Sequence, residues 1–519
     1  MTEGTPGPVE GRAYLYTAAF LTGAATMAAE LAGARLVAPF YGTSTPVWAL
    51  LVGAVLAGLA AGQVVGGRIS PVTRTLRPLG GLLVASGALL ALLPVVARPL
   101  MVGTLTLFHH GSLAPILASA LGVTTLLALP VAVLGACGPV VLHHAVGESE
   151  GAGPVAGRIY ALGTAGSLAG TYLSGLVLVP MIGTRRTLWT CAAALAAVGV
   201  AGVVRRTRAA AVLIVLAVAA GALALPGGIV KPRRNVVFED ETTYGLVQVA
   251  QDTRARWLTI DEGYAYQSVY PLDGSLALEG VWGWYALAPA FTTTGAPGDV
   301  LFLGLAGGSA ARAYRALWPE AALTGVEIDR GVVEAGRRFM ALPPEVRVVT
   351  DDARAWLHRD PDRYDVIVLD AFRFPYVPFQ LATVECFRAM EARLAKGGVV
   401  LVNVGRGDDG QGIGRPGDGL HDVVDAVAAT LAAVFPTVRG ADVPGAPNTI
   451  LVASRHPPAL DVGLAALSLP EDTTATLDRL PPLRPWLPEG VRVLTDDHAP
   501  VEWLTDRVLL RRLSAMARR

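Results

Sequence analysis

The chain has 519 residues, 52% hydrophobic and only 16% charged, with 59 Gly and 36 Pro, and its mean hydropathy is +0.48. An ordinary soluble domain carries about a quarter charged residues, so this composition excludes a wholly soluble protein. The formal net charge of zero means that no global field marks the chain for nucleic acid or an acidic partner, but it conceals a division, with residues 1–230 near +7 and residues 231–519 near −7.

A polar segment to Arg12 precedes a long apolar run with no small-residue cleavage site, which reads as a membrane span rather than a signal peptide. Crossing a hydrocarbon core takes about 20 apolar residues. Stretches of that kind run from Tyr14 to Phe40, Val47 to Ile69, Leu79 to Ala97, Leu121 to Val146, Ile159 to Ile182, Leu188 to Val204 and Ala209 to Leu225. They predict a membrane domain over residues 1–230 with about seven transmembrane helices. The stretch from Pro99 to Ala120, broken at Phe108-His109-His110-Gly111 and Pro115, reads as re-entrant, interfacial or an eighth span. Counting basic residues on each side does not choose between the two orientations.

Glu30 and Arg35 fall inside the first span, where ionisable groups face protein or water; they read as a polar path or a structural ion pair. Gly53-x-x-x-Ala57 and Gly163-x-x-Gly166-x-x-x-Gly170 suit close helix contacts. The pairs His109-His110 and His143-His144 are adjacent residues that do not face the same way on a helix, and Cys137, Cys191 and Cys386 are far apart in the chain. No metal site is expected from either set.

Pro226-Gly-Gly and Lys231-Pro-Arg-Arg234 read as a linker, after which the composition becomes soluble. Alternation of apolar and polar residues from Val236 to Tyr270 predicts a small antiparallel β-unit within residues 231–295. Residues 296–519 then read as a Rossmann-like α/β domain. Strands at Val300, Leu323, Val346, Val366 and Val399 alternate with helices ending near Leu317, Met340, His358 and Leu394, which implies a parallel sheet with helices on both faces and a ligand at the strands' carboxyl ends.

Chemistry-bearing residues stand at those ends. The turn Gly304-Leu-Ala306-Gly307-Gly308-Ser309 closes the first strand and opens a helix, Glu327 ends the second strand, Asp352-Ala353 follows the third, and Asp370 ends the fourth. An acidic group about 20 residues after a glycine turn suits a ribose; Asp352 suits an adenine amino group, or a helix cap. Without the full Gly-x-Gly-x-x-Gly pattern, an S-adenosyl compound fits better than a dinucleotide.

These residues resemble the spermidine synthase (polyamine aminopropyltransferase) family, in its bacterial branch with an N-terminal multi-pass membrane domain. The likeness runs from about Val236 to Arg406 through Val326-Glu-Ile-Asp329, Thr350-Asp-Asp-Ala353, Tyr364-Asp-Val-Ile-Val-Leu-Asp370 and Lys396-Gly-Gly-Val-Val. It extends to the membrane half through Glu30-Leu-Ala-Gly-Ala-Arg-Leu-Val-Ala-Pro-Phe-Tyr-Gly and Arg158-Ile-Tyr-Ala-Leu-Gly-Thr-Ala-Gly-Ser. The implied fold is a multi-pass α-helical membrane domain joined to a methyltransferase-type α/β domain with a small N-terminal β-unit.

The resemblance implies a transferase that moves an aminopropyl group from decarboxylated S-adenosylmethionine to a putrescine-like amine and releases methylthioadenosine. The donor is a co-substrate, and no permanently bound cofactor or metal is implied. Asp370 matches the catalytic aspartate. Gly304, Ala306, Gly307, Gly308, Glu327, Asp352 and Ala353 would hold the donor. Gln267, Tyr285 and Arg373 would line the acceptor side.

The chain departs from the family where Gly307 replaces an aspartate that meets the donor's ammonium and Arg373 replaces an amine-binding carboxylate. These changes keep an S-adenosylmethionine-dependent methyl or aminocarboxypropyl transferase open, as well as a transporter with a non-catalytic nucleoside-binding domain. Asp496 and Asp497 in Thr495-Asp-Asp-His read as a helix-start cap or as replacement charge for an amine. The expected partners are a small amine and the lipid bilayer, with the catalytic domain in the cytoplasm. The membrane half reads as an anchor, a recipient of product or a homodimer interface.

Overall fold

The computed structural model describes residues 8–41, 45–72, 75–107, 114–146, 152–203, 235–261, 266–293, 297–371, 377–406, 421–456, 480–505 and 507. The chain divides into two compact units with the boundary at Pro232.

The first unit is helical: α1 (Pro8–Tyr41), α2 (Thr45–Ile69), α3 (Arg77–Leu107), α4 (Ala114–Val146), α5 (Ala152–Tyr172), a π-helical turn at Leu173–Leu178, and α6 (Val179–Val203). Among the described residues, four helical stretches are long and apolar enough to cross a membrane: Pro46–Ile69, Arg77–Leu107, Leu117–Val146 and Ala152–Val203. The last has 52 residues and is broken at Gly183, whose φ of 80° and ψ of 165° are not helical, so it contains the two stretches expected there. Helix α1 covers the first expected span, but with three threonines, Glu30 and Arg35 it is less apolar than these four. The span expected from Ala209 to Leu225 lies outside the described residues. Among the described residues of Pro99–Ala120, those up to Leu107 continue α3 and those from Ala114 open α4.

Helices pair α1 with α5, α2 with α4 and α3 with α6. Gly58, Gly62 and Gly66 of α2 press against the backbones of Ala128, Ala132 and Ala136 of α4, and a Cβ at Gly62 would overlap the Ala132 carbonyl. Gly166 and Gly170 meet Phe20 and Ala24 of α1 in the same way. Close backbone approach of this kind is how helices associate where lipid would offer little hydrophobic drive between them. The expected Gly163-Gly166-Gly170 row therefore packs. Gly53 and Ala57, in contrast, are exposed, because the spacing of small residues on α4 selects the Gly58-Gly62-Gly66 face instead.

The second unit contains two sheets. Strands β1 (Val236–Glu241), β2 (Leu246–Gln251), β3 (Ala255–Ile260) and β4 (Ser268–Pro271) form the antiparallel β-unit in sequential order. A short helix, α7 (Val281–Leu287), leads to the larger sheet. There β5 (Asp299–Leu303), α8 (Ser309–Leu317), β6 (Ala322–Glu327), α9 (Arg330–Phe339), β7 (Arg347–Thr350), α10 (Ala353–Arg359), β8 (Tyr364–Leu369), α11 (Val384–Arg393) and β9 (Leu394–Gly405) alternate as expected. Helix α11 starts only at Val384, fourteen residues after Asp370, with Thr383 as its cap.

The sheet order is β12-β10-β11-β9-β8-β5-β6-β7, so the sheet is mixed rather than wholly parallel. After α12 (Asp422–Ala432), β10 (Thr437–Asp442) and β11 (Asn448–Ser454) pair antiparallel, β11 lies antiparallel to β9, and β12 (Arg484–Pro485) edges β10. The short link between β10 and β11 permits only a hairpin, since a parallel crossover needs a dozen or more residues. Aliphatic side chains fill both faces, with Phe387 and Phe435 on one and Phe302 and Tyr314 on the other.

Candidate active site

Register brings the sequence-predicted residues to one edge. Leu303 pairs with Val326 and with Leu369, Glu327 with Thr350, and Leu369 with Val402. The next residues along the parallel strands, Gly304, Asp351, Asp370 and Asn403, therefore project from the same carboxyl edge as Glu327.

Gly304 has a φ of 92°, and a Cβ there would overlap the Asp370 carbonyl; only glycine lets the turn close against β8. Ala306 also has a left-handed backbone, with φ 48°. Its N–H donates to Glu327 Oε2 at 2.9 Å, while the Asp329 N–H donates to Oε1 at 3.1 Å. Glu327 is 9% exposed, and burial raises its pKa against the opposing backbone hydrogen bonds. Each carboxylate oxygen has further acceptor capacity, so Glu327 is pre-oriented for a pair of hydroxyls.

The β-unit braces this turn. The Gly307 N–H donates to Ser268 Oγ at 2.8 Å, and Ser309 Oγ exchanges hydrogen bonds with the Val269 backbone. Thr242 Oγ1 donates to Asp329, which caps α9. A Cβ at Gly307 would sit 3.0 Å from both Ser268 Cβ and Met340 Cγ. Any side chain at position 307 would therefore press on both neighbours and require them to shift.

Asp352 caps α10, accepting from the Ala355 N–H at 2.9 Å through Oδ1, and Ala353 opens that helix, buried. Capping therefore engages one of the Asp352 oxygens. Gln267 is half-buried beside Ser268, and its backbone N–H donates to Leu258. Arg373 lies outside the described residues.

Asp370 Oδ1 accepts from Asn403 Nδ2 at 2.8 Å. Burial pushes its pKa up to about 6, opposed by the Asn403 amide and the Tyr285 hydroxyl. Tyr285 is 1% exposed; burial and the nearby carboxylate push its phenol well above the ordinary value. The hydroxyl approaches Asp370 without completing a hydrogen bond of standard geometry. No cation contributes to the environment of Asp370 among the described residues. A carboxylate surrounded by neutral donors and poised near neutrality suits proton abstraction.

Sequence reasoning missed Asn403, Ser268 and Thr242. Asn403 was open to detection, since it follows Val402 in the fifth strand as Asp370 follows Leu369 in the fourth, and Val402 pairs with Leu369. Asp496 is a correction to both readings given above. Its carboxylate is taken by Arg354, with Nη1 donating to Oδ1 at 2.7 Å and Nη2 to Oδ2, and by Thr383 Oγ1 at 2.7 Å. It ties α10 to the start of α11 and is neither the cap of the helical turn at residues 501–505 nor uncommitted charge for an amine.

No family model matches the chain. It is 31% identical over 294 residues to a probable polyamine aminopropyl transferase of Bifidobacterium longum, covering 52% of this chain and 62% of that protein. It is 30% identical over 215 residues to polyamine aminopropyltransferase 2 of Pseudomonas aeruginosa, covering 38% of this chain and 59% of that one. The chain is thus similar to polyamine aminopropyltransferases over part of their length. It spans less than two thirds of the length of these relatives. Among solved structures it is similar to a probable spermidine synthase from Corynebacterium glutamicum, with 20% identity, a TM-score of 0.37, and coverage of 54% of this chain and 94% of that one.

Proposed function

We propose that the protein is a membrane-bound aminopropyltransferase that uses decarboxylated S-adenosylmethionine and an amine acceptor of the putrescine type. The observation that carries this reading is Asp370, held by Asn403 at the carboxyl edge immediately beside the turn braced by Glu327. Glu327 would take the ribose hydroxyls, and Asp352 with Ala353 the adenine.

The acceptor arrives as an ammonium ion and gives one proton to Asp370. Its freed lone pair attacks the propyl carbon next to the sulfonium. A C–N bond forms, the C–S bond breaks, and its electron pair returns to sulfur as neutral methylthioadenosine. The new secondary amine carries the positive charge, and Asp370 passes its proton to solvent. Tyr285 and Gln267 border the acceptor, and the soluble unit lies on the cytoplasmic side, where adenosyl donors are made.

The test is product analysis on the full chain in detergent with decarboxylated donor and putrescine. Methylthioadenosine should form, and Asp370→Asn should abolish it. A second reading, use of intact S-adenosylmethionine, is favoured by Gly307, which brings no carboxylate to the turn and whose added Cβ would already sit 3.0 Å from Ser268 Cβ and Met340 Cγ; formation of S-adenosylhomocysteine, or methylthioadenosine only from the carboxylated donor, would select it.

A further inference from the structure

Asn403 does not hold Asp370 alone. Asn448 Nδ2 donates to Asn403 Oδ1 at 2.9 Å, and Asn403 Nδ2 donates to Asp370 Oδ1 at 2.8 Å. An amide on its own turns either end toward a neighbour. Here the donor from Asn448 fixes Asn403 with its NH2 toward the carboxylate. Asn448 opens β11, which reaches Asn403 through the antiparallel pairing of β11 with β9.

The turn that presents Asn448 is itself anchored. The Arg406 N–H donates to the Pro447 carbonyl at 2.9 Å, its Nη2 to Ala446 at 3.3 Å and its Nε to the Asn448 carbonyl at 3.4 Å. Buried Asp442 lies 3.5 Å from Arg406 Nε and also accepts from Thr449 Oγ1 at 2.6 Å. A buried charged cluster thus fixes a neutral amide relay whose last donor meets Asp370.

We infer that Asn448 is a positioning residue for the base: through Asn403 it sets the orientation and the proton affinity of Asp370. The inference rests on the reading of Asp370 as the base, but its first test needs no turnover. A donor to a carboxylate favours the charged form, so losing the orientation of Asn403 raises the pKa of Asp370. Asn448→Leu removes the donor to Asn403. Asn448→Asp keeps the shape but presents an acceptor, which draws the Asn403 NH2 away and turns its carbonyl toward Asp370.

The difference in unfolding temperature between each parent chain and its Asp370→Asn counterpart, followed from pH 4.5 to 8, reports where Asp370 titrates. The midpoint should lie near 6 with Asn448 intact. It should rise by about half to one pH unit in Asn448→Leu, up to a tenfold change in base protonation, and further in Asn448→Asp. Where methylthioadenosine is formed, the acid limb of kcat/KM should move by the same amount, with donor affinity unchanged. A purely structural role predicts lower unfolding temperatures, an unmoved midpoint and Asn448→Asp as the milder change; that pattern would overturn the inference. A wild-type chain that releases no methylthioadenosine would instead overturn the proposed function, and the titration would still decide the role of Asn448.

Discussion

The two units are held together in opposite ways. In the helical unit the decisive contacts form where side chains are missing, as at Gly62 against Ala132 and Gly166 against Phe20. In the soluble unit they form where polar side chains close a circuit, as at Ser268 with Gly307, Thr242 with Asp329, and Asn448 with Asn403 and Asp370. The helical unit should therefore tolerate variation on its exposed faces but not in its glycine rows, whereas the carboxyl edge of the larger sheet should tolerate little loss of hydrogen-bonding complementarity.

Asp370→Asn breaks the comparison most sharply on the soluble side. Activity should fall about a thousandfold or more, because general-base catalysis contributes on the order of 10²–10⁴. Stability should rise at the same time. A folded pKa raised from 3.8 to about 6 means that burial disfavours the charged form. The penalty is absent at low pH and grows as pH rises from about 4 to 6, so the variant should be more stable above pH 6. The full shift corresponds to about 3 kcal/mol, and partial solvent access lowers this to about 1–2 kcal/mol. Thermal unfolding of both forms at pH 5 and pH 7.5 measures it.

On the helical side, Gly62→Leu should cost about 3 kcal/mol or more, since overpacking of this kind typically costs 1–3 kcal/mol and here the obstacle is the Ala132 backbone. Gly53→Leu, on an exposed face, should be nearly neutral, and thermal unfolding in detergent compares the two. At the site edge, Glu327→Gln keeps shape but loses charge and should weaken donor binding about tenfold. Arg354→Met should have the smallest effect, about 1 kcal/mol of stability, because Asp496 is a partly exposed partner; thermal unfolding measures it.

The alternating strands and helices from Val300 to Asn403 were legible because each apolar run is short and ends at a turn or cap. Glu327 and Asp370 were legible because strand ends in a parallel sheet share one edge. The antiparallel hairpin was not, since the short link that forces it becomes visible only once β10 and β11 are located, and the sequence beyond Gly405 does not mark them. Asn448 was hidden for the same reason, as only register brings it to Asn403. Asp496 was misread because its partner, Arg354, lies on a helix 142 residues away in the chain, and Gly53 because an exposed small residue is identical in sequence to a packed one.

The most direct measurement is calorimetric titration of the detergent-solubilised chain with decarboxylated S-adenosylmethionine, S-adenosylmethionine and methylthioadenosine, repeated on Glu327→Ala. The proposed function predicts tighter binding of the decarboxylated donor than of the carboxylated one, with methylthioadenosine also bound and all three weakened by the substitution. Preference for the carboxylated donor, or binding indifferent to Glu327, would contradict it.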